Sequence, residues 1–167
     1  MTQLLRPGNA GEPLPAGEVV FRLLKHSTFD GGVSPMDFTM SSEDEKAPLK
    51  SLSVCVEVLT TPNQALNAFT EDKRPAYKHH ASLNVGSIRS LRPTPDSIDV
   101  PSLDAVWDPL VNEQTGLAIT ALGMEGHSGI TGLIRVPDLA NAKNYCKSLR
   151  EELVKMANAS VRTMPEA

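Results

Sequence analysis

Residues 117–159 read LAITALGMEGHSGITGLIRVPDLANAKNYCKSLREELVKMANA and carry the strongest structural pattern in this 167-residue chain. Leu117–Leu122 and Ile130–Val136 are apolar runs of strand length, and the glycine-rich segment Gly123–Gly129 separates them. These runs predict two strands that form a hairpin or flank a longer excursion. From Asp138 onward an amphipathic helix is predicted, because apolar residues recur at spacings of three and four: Leu139, Ala142, Cys146, Leu149, Leu153 and Met156.

Two more strands and a short helix are predicted upstream. Glu18–Leu24 is a mostly apolar run, and Ser51–Leu59 alternates so that Leu52, Val54, Val56 and Val58 share one face. Thr61 and Gln64 have the spacing of a capping box, and the intervening Pro62 suits a first helical position. We therefore expect a helix that begins at Pro62 and ends near Phe69.

The remaining segments are predicted from composition and local pattern. We expect a mobile charged loop at Ser41–Lys50, a strand within Ala81–Leu91 that contains Val85 and Ile88, and a short edge strand at Ile98–Val100.

The predicted elements favour an α+β fold class, with a mixed or antiparallel sheet and a long C-terminal helix packed on one face. Strands outnumber helices, and the strand–helix alternation of a parallel sheet is missing. We expect an extended N-terminal arm over 1–17, a single α+β domain over 18–159, and a C-terminal tail over 160–167 that frays.

Composition limits the classes of function. Apolar residues make up 40% of the chain, which indicates a globular protein, whereas aromatic residues make up only 4%. A net charge of −4 and few aromatic side chains argue against nucleic-acid binding. With no apolar run long enough to span a bilayer and no signal-peptide pattern, we expect a cytoplasmic protein without a membrane partner.

The candidate site residues, if the protein is an enzyme, are Arg22, Ser53, Glu57 and His127. We expect His127 on the glycine-rich turn, where Gly126 and Gly129 free the backbone and allow the turn to lift the imidazole clear of the sheet. Cys55 lies in the middle of a strand, which favours a buried thiol over a nucleophile paired with histidine. The spacing of cysteines and histidines gives no metal motif, so no metal and no cofactor are predicted.

Short motifs in this chain resemble those of some small bacterial proteins of unassigned function. The motifs are Phe21-Arg22, Leu52-Ser53-Val54, the stretch from Gly126 to Gly132, and the helical run Leu139–Leu149. Those proteins often have His-Ala-x-Ile-x-Gly before a terminal helix, where this chain has His-Ser-Gly-Ile-Thr-Gly. The resemblance covers most of the chain in order and implies no activity.

The layout also resembles that of ADP-ribosyltransferases, which use an early strand arginine or histidine, a strand-borne Ser-Thr-Ser and a late catalytic glutamate. Arg22 and Ser53 stand in comparable order. This chain departs from the pattern because it lacks the Ser-Thr-Ser motif, and its late Glu125 lies outside the predicted strands. No catalytic role is carried over.

Two hypotheses follow. The first is a non-enzymatic bacterial accessory or interaction domain that acts by binding another protein, since no convergent catalytic set is evident. The alternative is a small transferase or hydrolase with Arg22, Ser53, Glu57 and His127 around one cleft. The enzyme hypothesis requires His127 and at least two of the others to line the same pocket.

Overall fold

A computed structural model describes residues 5–28, 32–91, 103–111, 114–115, 123–133 and 142–165. Its strands are β1 (Val19–Leu24), β2 (Ser51–Val56), β3 (His79–Asn84), β4 (Asp104–Trp107), β5 (His127–Thr131) and β6 (Arg162–Thr163). Its α-helices are α1 (Ser42–Lys46), α2 (Pro62–Asn67), α3 (Val85–Ser90) and α4 (Ala142–Asn158). Two short 3₁₀ helices cover Pro35–Phe38 and Arg74–Ala76.

The strands form one six-stranded sheet in the order β4-β5-β2-β1-β3-β6. Each described pair of neighbouring strands is antiparallel. The predicted α+β class is therefore confirmed, and of the two sheet types that the sequence allowed, the antiparallel one is observed.

The two faces of the sheet carry two separate apolar clusters, because successive side chains of a strand point to opposite faces. The larger cluster joins one face of the sheet to Leu149, Leu153 and Ala157 of α4, all fully buried. The smaller cluster lies on the other face and is built on Phe21, Leu23, Cys55, Ala65 and Met124.

Two predicted strand patterns differ from the structure. Leu52, Val54 and Val56 are buried in the larger cluster as expected, but β2 ends at Val56 and the side chain of Val58 is 71% exposed in the turn that follows. Val85 and Ile88 are buried on α3 instead of a strand. The strand β3 ends where the Asn84 side chain accepts a hydrogen bond from the amide of Ser87 and caps that helix.

Two predicted loops also differ from the structure. The segment Ser41–Lys50 contains α1, whose start is fixed by reciprocal hydrogen bonds between Ser41 and Asp44. His127 and Gly129 lie within β5, so the glycine-rich turn ends earlier than predicted. Ladder bonds to β2 account for the difference, since they pair Ser53 with Gly129 and Cys55 with His127.

The ends of the described chain are held against the sheet. Residues of the predicted arm bond to β4, with the Gly11 amide donating to the Trp107 carbonyl, and Leu14 is buried. The tail, expected to fray, forms β6 on the edge of β3. The predicted strands 98–100 and 117–122, and the predicted start of the last helix at residue 138, lie outside the described residues.

Candidate functional site

A cleft of about 780 Å³ opens on the face of the sheet that carries the smaller apolar cluster. Its floor consists of side chains from β1, β2 and β5. One wall comes from the 3₁₀ helix Pro35–Phe38 and from α1, and the opposite wall comes from α2 and the loop that follows it. A cleft of this size is large enough for a small molecule or for part of a peptide.

The floor is built where β1 and β2 stop pairing. The two strands pair at only two positions, Val20 with Val56 and Phe21 with Cys55. Beyond that point the Arg22 side chain replaces the backbone ladder: its Nη1 donates to the Ser53 carbonyl at 2.6 Å, and its Nε donates to the Asp37 carbonyl. Burial lowers the pKa of the Arg22 guanidinium, and the charge of Asp37 opposes this effect.

The carboxylate of Asp37 is engaged in holding the chain. It is 2% exposed and accepts hydrogen bonds from the amides of Lys25 at 2.9 Å, His26 at 2.8 Å and Ser34 at 3.2 Å. These bonds tie the 3₁₀ helix to the end of β1. The Arg22–Asp37 unit therefore fixes one wall of the cleft to its floor.

His127 stands at the end of the cleft beside Cys55, its cross-strand partner. Its Nδ1 is 2.5 Å from the carbonyl oxygen of Asp108 and 3.9 Å from the carboxylate of the same residue. Because a carbonyl oxygen only accepts, Nδ1 carries the proton, and Nε2 of the neutral ring is the acceptor. This arrangement fixes both the orientation and the tautomer of the imidazole.

The thiol of Cys55 is unsuited to nucleophilic chemistry. Its side chain is 5% exposed, and burial raises its pKa to about 12. The thiolate is the reactive form of cysteine, so this thiol remains protonated at neutral pH. The pairing of Cys55 with His127 across the sheet therefore does not make a Cys–His nucleophile.

Thr60 supports the turn that carries Met124 and leads into His127. Its hydroxyl donates to the Gly123 carbonyl at 2.9 Å and accepts from the Gly126 amide at 3.0 Å. Gly126 is required by close approach, because a Cβ there would lie 2.7 Å from the Val56 carbonyl oxygen. In this turn Gly123 has the positive φ angle, 70°. The expectation that Gly126 and Gly129 provide the unusual backbone angles is therefore wrong.

The second wall presents aromatic side chains. The rings of Phe69 and Tyr77 stack with their centroids 4.6 Å apart, and both line the cleft. Arg74 fixes this wall, since its Nε donates to the Phe69 carbonyl at 2.9 Å and its Nη2 to the Asn67 carbonyl at 3.2 Å. The wall begins with α2, which starts at the predicted capping box of Thr61 and Gln64.

Three of the four candidate residues come together. Arg22, Ser53 and His127 line the same cleft, whereas Glu57 is exposed in the turn after β2 and is not among the lining residues. The guanidinium of Arg22 is engaged with two carbonyl groups, and Nδ1 of His127 is engaged with the Asp108 carbonyl.

Sequence reasoning missed most of the apolar lining and both aspartates whose backbone carbonyls orient candidate residues. Met36 and Asp37 lie in the segment 26–40, whose two glycines and one proline predict a loop, and Asp108 lies within the turn that Trp107-Asp108-Pro109 predicts. One signal was available: the Ser34-Pro35 pair with Asp37 at the third helical position is a capping box, and it places Met36 on a short helix.

No family model matches this chain, and neither curated proteins nor solved structures gave a match. Within the described residues, there is no group of three or more histidine, cysteine, aspartate or glutamate side chains arranged to hold a metal ion. Among the helices of the described ranges, none combines the length and apolar character needed to cross a bilayer.

Proposed function

We propose that this chain is a non-enzymatic interaction domain and that its cleft accepts a segment of a partner protein. The observation that carries the proposal is the concentration of large, adaptable apolar side chains in the cleft of an aromatic-poor chain. Three of the seven aromatic residues and two of the six methionines line it: Phe21, Phe69, Tyr77, Met36 and Met124. Aromatic and methionine side chains are enriched at protein interfaces.

The exposure of Met36 supports this reading. Its side chain is 62% exposed at the rim of the cleft, although it lies next to buried Phe38 in sequence. Burying such a side chain against a partner contributes roughly 1.5–3 kcal/mol. An apolar or aromatic side chain of a partner, inserted between Met36 and the Phe69–Tyr77 wall, would contact both sides of the cleft.

The polar groups of the cleft support binding more than catalysis. The guanidinium of Arg22 and the carboxylate of Asp37 are engaged in structural hydrogen bonds, and the Cys55 thiol is protonated. The acidic composition and the low aromatic content support binding of another protein in preference to nucleic acid.

Selection from a displayed library of random peptides tests the proposal. We expect enriched peptides to share a large apolar side chain, and Met36→Glu to weaken their binding at least tenfold, measured by isothermal calorimetry. Val58→Glu is the matched control, because Val58 is 71% exposed and lies outside the cleft. Peptides that bind Met36→Glu as tightly as the wild type would contradict the proposal.

A small hydrolase or transferase is the second candidate. The observation that favours it is the convergence of Arg22, Ser53 and His127 on one cleft, with His127 oriented by Asp108. Hydrolysis of an activated ester tests it, with His127→Gln and Ser53→Ala as variants. Turnover by the wild type that falls at least a hundredfold in both variants would favour an enzyme, since general-base catalysis contributes about that much.

A further inference from the structure

We propose that the C-terminal strand β6 is a pH-sensitive latch, which is released from the edge of the sheet when His80 takes up a proton. The proposal is independent of the cleft and of what the cleft binds. It depends on how the segment from Ser160 to Met164 is attached to β3 and on the position of His80 beneath it.

The latch is attached by a small number of hydrogen bonds. The Ser160 hydroxyl donates to the Ser82 carbonyl at 2.7 Å and accepts from the Ser82 amide at 2.9 Å. Arg162 then pairs with His80 in the β3–β6 ladder, and the Met164 amide donates to the Lys78 carbonyl at 2.8 Å. The strand itself is two residues long and exposed, so its release disturbs little of the core.

Release would uncover apolar surface. The side chain of Met164 packs against the smaller apolar cluster, which also contains the cleft residues Phe21 and Leu23. His80 is the cross-strand partner of Leu23, and its ring meets that of Phe21 edge to face with centroids 6.3 Å apart. His80 therefore lies between the latch and the apolar face beneath it.

The surroundings of His80 suit the neutral imidazole and not the cation. Its Nδ1 is buried and has no hydrogen-bond partner among the described residues. Burial lowers its pKa, and so do the positive charge of Arg162 on β6 and the neighbouring His79 on its own strand. Within the part of the chain that the structure describes, the opposing charge is that of Glu57, in the exposed turn after β2, where solvent screens it.

The direction of the pH effect follows from this lowered pKa. Release removes Arg162 and part of the covering of His80, so the pKa of this imidazole moves back toward its ordinary value. The closed latch is therefore fully stabilised above the ordinary histidine pKa of about 6.5. It loses stability as the pH falls from there toward the lowered pKa that His80 has in the closed state. For one proton, the opening equilibrium rises by up to about tenfold for each pH unit across this range.

Amide hydrogen exchange of the full chain between pH 7.5 and 5 tests the latch. We expect the protection of the Ser82 and Met164 amides, corrected for intrinsic exchange, to fall at least fivefold, while amides of the β2–β5 ladder stay protected. In His80→Phe, which keeps a ring against Phe21, that fall should disappear. His26→Gln is the matched control, because it removes an exposed histidine and should leave the fall intact.

Two outcomes would overturn the latch. One is protection in the wild type that does not change with pH, and the other is a fall of equal size in His80→Phe. If His80→Phe does not fold, an NMR titration of the wild-type imidazoles decides: a His80 midpoint below about 6.5 is required, and a midpoint at or above that value refutes the proposal.

Discussion

Replacing Thr60 with valine tests how the turn beneath the cleft is held. Valine has nearly the shape of threonine but no hydroxyl, so Thr60→Val removes both hydrogen bonds of this side chain without opening a cavity. It leaves the Gly126 amide and the Gly123 carbonyl without the partner seen in the structure. The environment is dry, because Thr60 is 1% exposed and Gly126 is also buried.

The magnitude follows from the cost of leaving these groups unpaired. A buried donor or acceptor that loses its partner costs about 1–3 kcal/mol, and the Gly123 carbonyl, which is partly exposed, lies at the low end of that range. We therefore expect Thr60→Val to lower the free energy of unfolding by roughly 2–4 kcal/mol, enough to lower Tm by roughly 5–15 °C in a domain of this size.

Thr60→Ser separates the hydroxyl from the methyl group. Serine retains the hydroxyl and loses one methyl, so we expect a cost of about 1 kcal/mol. Urea denaturation followed by circular dichroism measures both variants. The reasoning would be refuted if the free energy of unfolding of Thr60→Val lay within about 0.5 kcal/mol of the wild-type value, which is the range of neutral surface substitutions. It would also be refuted if Thr60→Ser lost as much free energy of unfolding as Thr60→Val.

Three further experiments test the core and the cleft floor. Leu149→Ala should lower the free energy of unfolding by about 2–5 kcal/mol, because this side chain is fully buried on α4; an unchanged denaturant midpoint would show that the helix does not belong to the core. Cys55 should react slowly with a thiol reagent at neutral pH in the folded protein, since burial raises its pKa to about 12. Rapid labelling would instead support the hypothesis that Cys55 is a nucleophile. Arg22→Met should destabilise by about 2–4 kcal/mol in the same urea assay, because two carbonyl groups lose a charged donor, and a variant as stable as wild type would contradict the bracing role of Arg22.

Local patterns predicted their elements well. The Thr61–Gln64 capping box marks the start of α2 because both of its hydrogen bonds close within one turn of chain. The apolar stripe of α4 likewise predicted burial of Cys146, Leu149 and Leu153, since helical spacing alone brings these side chains onto one face.

Prediction failed where a short apolar run suits both a strand and a helix. Val85 and Ile88 are three positions apart, a spacing that fits one turn of helix. They nevertheless follow a segment that is extended. What ends the strand is the Asn84 cap, together with the Val85 amide donating to the Glu18 carbonyl and the Gly86 amide donating to the Ala16 carbonyl. Those two bonds reach residues distant in sequence, and no local pattern reveals them.

The sequence suggests as a hypothesis that Arg22, Ser53 and His127 converge. Only the register of the sheet tests that hypothesis. Phe21 pairs with Cys55, and Cys55 pairs with His127, so three strands distant in sequence place Phe21, Cys55 and His127 in one row across the cleft floor, with Arg22 and Ser53 close to this row. A shift of one residue in either pairing would turn the side chains to opposite faces. Glu57 falls outside the cleft because β2 ends at Val56 and Glu57 lies in the exposed turn that follows, and residue types alone did not show where this strand ends.

Arg22, one of the residues that suggested chemistry in the sequence, instead helps to build the cleft. β1 and β2 pair at two positions only, and a sheet that opens in this way leaves carbonyl groups without ladder partners. Arg22 satisfies one of them, the Ser53 carbonyl, and also donates to the Asp37 carbonyl of the adjoining wall. The Asp37 carboxylate accepts hydrogen bonds from three backbone amides. The charges of these two residues are thereby used in the scaffold. Apolar and aromatic side chains such as Phe21, Phe69 and Tyr77 line the cleft, together with further charged ones: Lys25, Glu43, Asp44, Asp72 and Lys73. The hydrogen bonds of Arg22 and Asp37 fix the cleft, and its apolar and aromatic side chains are suited to holding an apolar segment of another protein. For this reason we favour binding over catalysis.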